Sequence, residues 1–411
     1  MAMPLNFYTP EATMVTLGLL LLATVFAGET SSRFGVPALI GFLLLGMLAG
    51  VEGPGAIAFE DYLLTQGIGT ACLALILFSG GLDTQWKAVR PMVPPALVLA
   101  TAGVVITTGV IALSAWVFFE FPPLQAFLLG AVVASTDAAA VFAILRATDF
   151  DLDAELPALL ELESGSNDPM AIFLVGAGIL FAIDPATSAL SLVPSFLQEM
   201  AVGAATGLAV GWLLPTLLRR PVRAGSGLAF VVPIAGAMLG FGIAALLGGN
   251  GFLAVYLAGL VMGSRAFAAK ASVRTFQGGL AWLAQVIMFL TLGLLVTPSN
   301  LFDVVGRGIE LTLLLMFVAR PLAVFICLAP FRRFGWRTKL FISWAGLRGA
   351  VPIVLATFIV GAGVPGAFRI FNIVFFVVLL SSAVQGTTIS LVAGWLKVRD
   401  GDRKARHATV P

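Results

Sequence analysis

Glu163-Ser164-Gly165-Ser166-Asn167-Asp168-Pro169 interrupts a run, 156–182, that otherwise reads as one membrane-spanning helix. Two carboxylates and a carboxamide in hydrocarbon are costly. A single charged side chain at the centre of a spanning helix costs roughly 2.5–3.5 kcal/mol on insertion scales. Groups that expensive persist where they face water, pair with other charges or handle ions. The stretch therefore predicts an all-α polytopic membrane protein built around a polar intramembrane site.

The composition agrees. Of 411 residues, 59% are hydrophobic and 11% charged, with a mean hydropathy of +1.04; soluble domains carry about 25% charged residues. Apolar runs long enough to cross a bilayer, about 20 residues each, predict about thirteen helices: 12–29, 35–52, 63–82, 92–119, 123–147, 156–182, 195–219, 227–248, 251–267, 278–298, 307–330, 338–362 and 368–397. The chain then reads as one membrane domain over 1–411, with 398–411 as a short cytoplasmic tail. The first run lacks a basic lead-in and is followed by Glu29 and Arg33, so no cleavable signal peptide is expected.

Several function classes drop out. The single histidine, His407, lies in the tail, which disfavours His-dependent catalysis and His-ligated metal within the membrane. Cys72 and Cys327 sit in apolar runs and read as small core residues, not a disulfide. No basic block suggests nucleic acid, and no motif suggests a cofactor. An intramembrane protease fits poorly: Gly80-Gly81-Leu82-Asp83 matches neither the aspartyl nor the serine type. The reading is a transporter, not an enzyme.

Nineteen of the 23 Lys and Arg fall after odd-numbered segments or in the tail, two (Arg307 and Arg369) on the opposite side, and two (Arg320 and Arg348) within the membrane. The bias places the N-terminus outside and the C-terminus in the cytoplasm. Thirteen segments divide as six, one and six, so segments one to six pair with eight to thirteen as inverted repeats, a common transporter plan. The matching interruptions are Ala134-Ser135-Thr136-Asp137-Ala138 in segment five and Ala345-Gly346-Leu347-Arg348-Gly349-Ala350-Val351-Pro352 in segment twelve, where Gly, Pro and short polar residues suit unwinding.

Asp137, Asp168, Arg320 and Arg348 each fall near the middle of their segments, and so near the bilayer centre at 1.5 Å per residue. Three acids (Asp137, Glu163 and Asp168) face two arginines. Two acids can be held ionised, which leaves one free to bind either a proton or a cation. Glu163 and Asn167 share one helix face, Ser164 and Asp168 another. Asp168 is the better carrier, with Thr136, Ser164 and unwound carbonyls as further oxygens for an alkali cation, and Glu163 is the better structural partner. Plainer readings stand beside these. Asp168 is otherwise a neutral hydrogen-bonded acid, Asp137 merely a helix cap, and Glu161 lines the cytoplasmic entrance. The glycine pairs 46/50, 203/207/211, 236/240 and 259/263 serve internal helix packing.

Ser135-Thr136-Asp137, Glu163-Ser164 through Asn167-Asp168-Pro169, Arg320-Pro321 and Gly346-Leu347-Arg348-Gly349-Ala350 resemble the monovalent cation/proton antiporter superfamily. The Asn-Asp pair marks its NhaP-type branch, and Asp137-Ala138-Ala139-Ala140-Val141-Phe142 resembles the bacterial potassium/proton subgroup. The resemblance implies a homodimer among lipids in the bacterial inner membrane, with segments 3–6 and 10–13 as core and 1–2 and 7–9 as dimerisation scaffold. It implies electroneutral exchange of K+ or Na+ for H+, with Asp168, Asn167, Ser164, Thr136 and Asp137 at the ion site. Glu163 would pair with Arg320, and Arg348 would balance Asp137 or the helix crossing. A ligand-gated potassium channel on the same fold is the alternative. Two departures stand out. Ser79 occupies a position where many relatives carry an acid, which bears on selectivity. Related potassium/proton proteins often continue into a cytoplasmic regulatory domain, whereas this chain ends soon after Arg406.

Overall fold

A computed structural model describes residues 9–33, 37–148, 150, 152–153, 155–218, 227–267 and 269–398. Arg219, Arg220, Arg223, His407 and the basic residues of 399–411 lie outside the described residues, so the predicted tail is not placed. Among the described residues the chain is all helix: α1 (Pro10–Arg33), α2 (Ala38–Ala49), α3 (Tyr62–Asp83), α4 (Trp86–Phe119), α5 (Pro123–Val132), α6 (Ala138–Ala147), α7 (Glu155–Ile183), α8 (Ala189–Leu217), α9 (Leu228–Leu246), α10 (Gly251–Gly263), α11 (Lys270–Leu294), α12 (Val305–Cys327), α13 (Trp336–Trp344), α14 (Ala350–Gly361) and α15 (Ala367–Leu396). Nine of these are long and apolar enough to cross a bilayer; α2, α5, α10 and α14 are apolar but shorter.

Segments two and nine are shorter as helices than their apolar runs. After α2, Gly53, Pro54 and Gly55 turn the chain back, and the Ile57 amide bonds to the Ala49 carbonyl at 3.0 Å. α10 is capped by Asn250, whose side chain accepts from the Leu253 amide at 3.0 Å. It ends where Lys270 Nζ donates to the Gly263 and Arg265 carbonyls, the favoured place for a cation. α4 and α11 begin six and eight residues earlier than the apolar runs 92–119 and 278–298, because their polar first turns are helical too.

Two runs are broken where Gly and polar residues predicted it, at 133–137 between α5 and α6 and at 345–349 between α13 and α14. Two more irregularities were not foreseen. Leu99–Gly103 in α4 and Leu315–Ala319 in α12 each form one widened π turn. Fourth and eleventh, fifth and twelfth are the pairings that the six-one-six division assigns.

Small residues let helix backbones touch. A methyl group on Gly46 would lie 2.8 Å from the Gly293 Cα, and one on Gly211 2.9 Å from the Ala258 Cα. Gly259 and Gly263 press against the backbone at Phe78 and Leu82 of α3 in the same way. These glycines serve internal packing, as expected, joining α2 to α11, α8 to α10 and α3 to α10. Cys72 and Cys327 are free and buried. α1 is covered least, with Met14, Leu22 and Phe26 among its exposed side chains, a face that suits lipid.

Candidate ion site

The two breaks cross and hold each other. The Asp137 amide donates to the Leu347 carbonyl at 2.8 Å. Unwinding leaves carbonyls unpaired at the end of α5, and Arg348 supplies their donor: its Nη1 bonds to the Ala134 carbonyl at 2.7 Å and to that of Ser135. Asp137 caps the start of α6, accepting from the Ala140 amide at 3.1 Å. A cation thus sits at a helix C-terminus and an anion at an N-terminus, the signs that helix dipoles favour. Gly349 is required here, because a β-carbon would collide with Asp137 Oδ2. α15 braces the second break: Ser382 Oγ donates to the Arg348 carbonyl and Gln385 Nε2 to the Trp344 carbonyl, each at 2.8 Å.

α7 stays continuous through Pro169 and turns two faces to this crossing. On one, Glu163 pairs with Arg320 Nη1 at 2.5 Å, both side chains nearly sealed from solvent. Asn167 Nδ2 donates to Thr136 Oγ1 at 2.6 Å, and its Oδ1 lies 3.5 Å from the Thr136 amide. On the other, Ser164 Oγ donates to the Thr136 carbonyl at 2.9 Å and accepts from the Ala138 amide at 3.2 Å. Ser164 and Asn167 therefore clamp the unwound stretch of segment five.

Asp168 is treated differently. It is 4% exposed, its Oδ1 has no hydrogen-bond partner, and no guanidinium pairs with it among the described residues. The expected count of two acids neutralised by two arginines does not hold. Arg320 takes Glu163, but Arg348 is spent on backbone carbonyls, so among the described residues Asp137 and Asp168 both lack an arginine partner. Of the two roles left open for Arg348, the structure places it on the crossing.

A cavity of about 360 Å³ reaches Asp168. Thr136, Asp137, Ser164 and Asp168 line its inner end, and Asp83, Arg146 and Glu161 are its other charged lining residues. Asp83 ends α3 and Arg146 lies in the last turn of α6, so the cavity opens toward the ends of these two helices, the side expected from the basic-residue bias to be cytoplasmic. Glu161 lies on this path, as expected for an entrance residue. Ser79 is buried in α3 and does not line the cavity.

Sequence reasoning missed Tyr256 and Asn250. Tyr256 of α10 lines the cavity and packs on Gly165, where a β-carbon would come within 2.6 Å of its ring. Asn250 Nδ2 donates to the Pro169 carbonyl at 3.2 Å. Tyr256 lies in, and Asn250 just before, an apolar run that reads as scaffold. The only signals were the rarity of tyrosine, three in the chain, and a polar Asn in the glycine-rich turn.

Residues 19–395 match the family of the sodium/hydrogen exchanger, transmembrane. A K+/H+ antiporter, NhaP2, of Shewanella sp. (strain MR-4) is 43% identical over 385 residues, 93% of this chain and 67% of that protein. The K+/H+ antiporter NhaP of Alkalimonas amylolytica is 40% identical over 402 residues, 97% of this chain and 69% of that protein. The structure of the sodium proton antiporter MjNhaP1 from Methanocaldococcus jannaschii at pH 8 superposes with a TM-score of 0.75 at 24% identity, covering 91% of this chain and 99% of that one. That likeness speaks for the fold.

Proposed function

This chain belongs to the sodium/hydrogen exchanger family, and from that premise we propose that it exchanges a monovalent cation, K+ or Na+, for H+ by alternating access, with Asp168 as carrier. The observation that carries this reading is a contrast within one helix: Glu163 is locked to Arg320, whereas Asp168 has no guanidinium partner among the described residues and lies at the end of a cavity. A bare carboxylate there binds a proton or an alkali cation, and the two compete for one charge. Ser164 and Thr136 add oxygens, Asn167 fixes the unwound stretch, and Asp137 and Arg348 stabilise the crossing. The resemblance of the Asn167-Asp168 pair to the electroneutral Asn-Asp branch of the family implies one cation per proton. The 43% and 40% identity to two K+/H+ antiporters favours K+. Nothing in the site favours the gated-channel alternative.

In the cycle, Asp168 faces the cytoplasm in the conformation described, releases one ion and takes the other. Once neutral, it can cross inside its helix body; charged and bare, it stalls. The packing favours a different division of bodies from the one expected. Backbone-to-backbone glycine contacts tie segments three and ten, α3 and α11, closely to the scaffold helices α10 and α2. Toward the site helices, Gly165 meets a Tyr256 ring and Gly69 the Val354 side chain, contacts that can yield. The moving body is then α4–α7 with α12–α15, and the scaffold is α1–α3 with α8–α11. The paired π turns and breaks support the inverted repeat. We further assign a homodimer through the scaffold, in a bacterial inner membrane, with the N-terminus outside.

The test is proton flux in proteoliposomes carrying an imposed pH gradient, titrated with KCl and NaCl. Cation-driven proton movement is expected in the unsubstituted protein and none in Asp168→Asn; flux retained in that variant removes Asp168 from the role.

A further inference from the structure

Two turns before Asp168 on α7, Glu161 meets groups from two other helices. Thr84, the residue that caps α3, donates its hydroxyl to Glu161 Oε1. The same hydroxyl lies 2.9 Å from the Gly80 carbonyl. Thr84 has one hydrogen for two acceptors, and the Gly80 carbonyl already accepts from the Thr84 amide at 3.1 Å. Tyr256 of α10 stands beside Thr84 and Glu161; it is 3% exposed, and its hydroxyl lies next to the Thr84 side chain without closing a well-formed hydrogen bond. Tyr256 and Glu161 both line the cavity that ends at Asp168. Burying a tyrosine hydroxyl whose hydrogen bonding is incomplete is unfavourable, so its position on this path leaves room for a ligand.

The cluster is rich in oxygen and poor in hydrogen. A carboxylate and two hydroxyls offer more lone pairs than their two hydrogens can fill. The charges around it do not make up the deficit. Arg274 is committed to Asp83, through Nε to Oδ1 at 2.9 Å and Nη2 to the main-chain carbonyl at 3.0 Å. Arg146 is exposed at the rim, and Asp137 and Asp168 add negative charge deeper in. Potential of one sign in a cleft with apolar walls concentrates counter-ions.

We propose that Glu161, Thr84 Oγ1 and Tyr256 Oη form a second binding station for the monovalent cation, a transit site through which it reaches Asp168. This rests on the exchanger reading above. Glu161 is carried by the body that moves, Thr84 and Tyr256 by the scaffold, so the station exists only while the cavity faces this side. It raises the capture of cation from this face and is dismantled when the site helices shift.

Glu161→Gln tests it, because the carboxamide oxygen still accepts the Thr84 hydrogen and only the charge is lost. In proteoliposomes at low ionic strength, the KM for K+ rises about fivefold, which corresponds to about 1 kcal/mol, while Vmax changes less than twofold. Added choline chloride shrinks the difference, since salt screens partly exposed charges. Tyr256→Phe raises the KM in the same direction by a smaller factor. An unchanged KM in Glu161→Gln overturns the proposal, as does a shifted pH profile at constant KM, which would make Glu161 a proton-handling group only. Failure of the unsubstituted protein to exchange at all overturns the exchanger reading and this station with it. Normal exchange with an unchanged KM in the variant overturns the station alone.

Discussion

Glu163 and Asp168 are five residues apart on one helix, yet they are handled in opposite ways. Glu163 is 1% exposed and bonded to a guanidinium. Asp168 is 4% exposed and has none, with a cavity at its door. Exposure hardly separates them. The partner does: α12 delivers Arg320 to one face of α7, while α13 and α14 deliver Arg348 to a helix end instead of to an acid. A buried carboxylate is structural or functional according to what the opposite helix brings.

The sharpest break of this comparison is a pair of neutralisations. Asp168→Asn is expected to bring cation-dependent proton flux to background with a melting temperature close to the parent's. Arg320→Ala should do the reverse. Stranding one charge of a buried pair costs about 3–5 kcal/mol, read as a large drop in melting temperature, with a smaller change in the KM of whatever protein stays folded. Replacing Glu163 and Arg320 together, by Leu and Met, should recover much of that loss, since apolar substitutes for a whole buried pair are often neutral. If Arg320→Ala leaves melting unchanged and removes cation binding, the assignment of roles is inverted.

Ser164→Ala sharpens the middle ground. It leaves the Thr136 carbonyl and the Ala138 amide without their side-chain partner, a cost of about 1–3 kcal/mol for buried groups. Both a lower melting temperature and slower exchange are expected, because Ser164 belongs to the clamp and to the site.

The smallest effect belongs to a carboxylate outside the membrane. Glu52 accepts from the Ser299 amide at 2.7 Å and from its hydroxyl at 2.5 Å. The Ser299 hydroxyl, then its amide, hold the Glu52 carboxyl below its ordinary 4.5. A carboxyl with a lowered value in the fold stabilises above its ordinary value, and that contribution fades as pH falls through the lowered one. Glu52→Gln should therefore melt slightly below the parent at neutral pH, and the gap should close as the pH drops below 4.5. A gap that persists in acid would mean that packing, not charge, holds this loop.

Much of the fold could be read from the chain because bilayers impose length and polarity on every segment. The breaks at 133–137 and 345–349 were legible because glycine, proline and short polar residues mark unwinding, and Asp168 because a charge in hydrocarbon needs a reason. Arg348 was legible as a counter-charge but not its target: whether it meets an acid or a row of carbonyls depends on how α5 and α13 end. The π turns left no trace, since Leu99–Gly103 and Leu315–Ala319 are as apolar as their neighbours. Tyr256 and Thr84 were hidden for another reason. Each is unremarkable in its own segment and acquires a role only from helices far along the chain.

The bonds from Arg348 to the carbonyls of segment five span 214 positions of sequence. A ribosome makes the first break long before the arginine that completes it. Until then the exposed end of α5 has no donor of its own, so the early half of the chain must wait, shielded by water or by the insertion machinery. Chains halted before Arg348 should be recognised as unfinished and degraded, and assembly of the ion path becomes one of the last events of biogenesis.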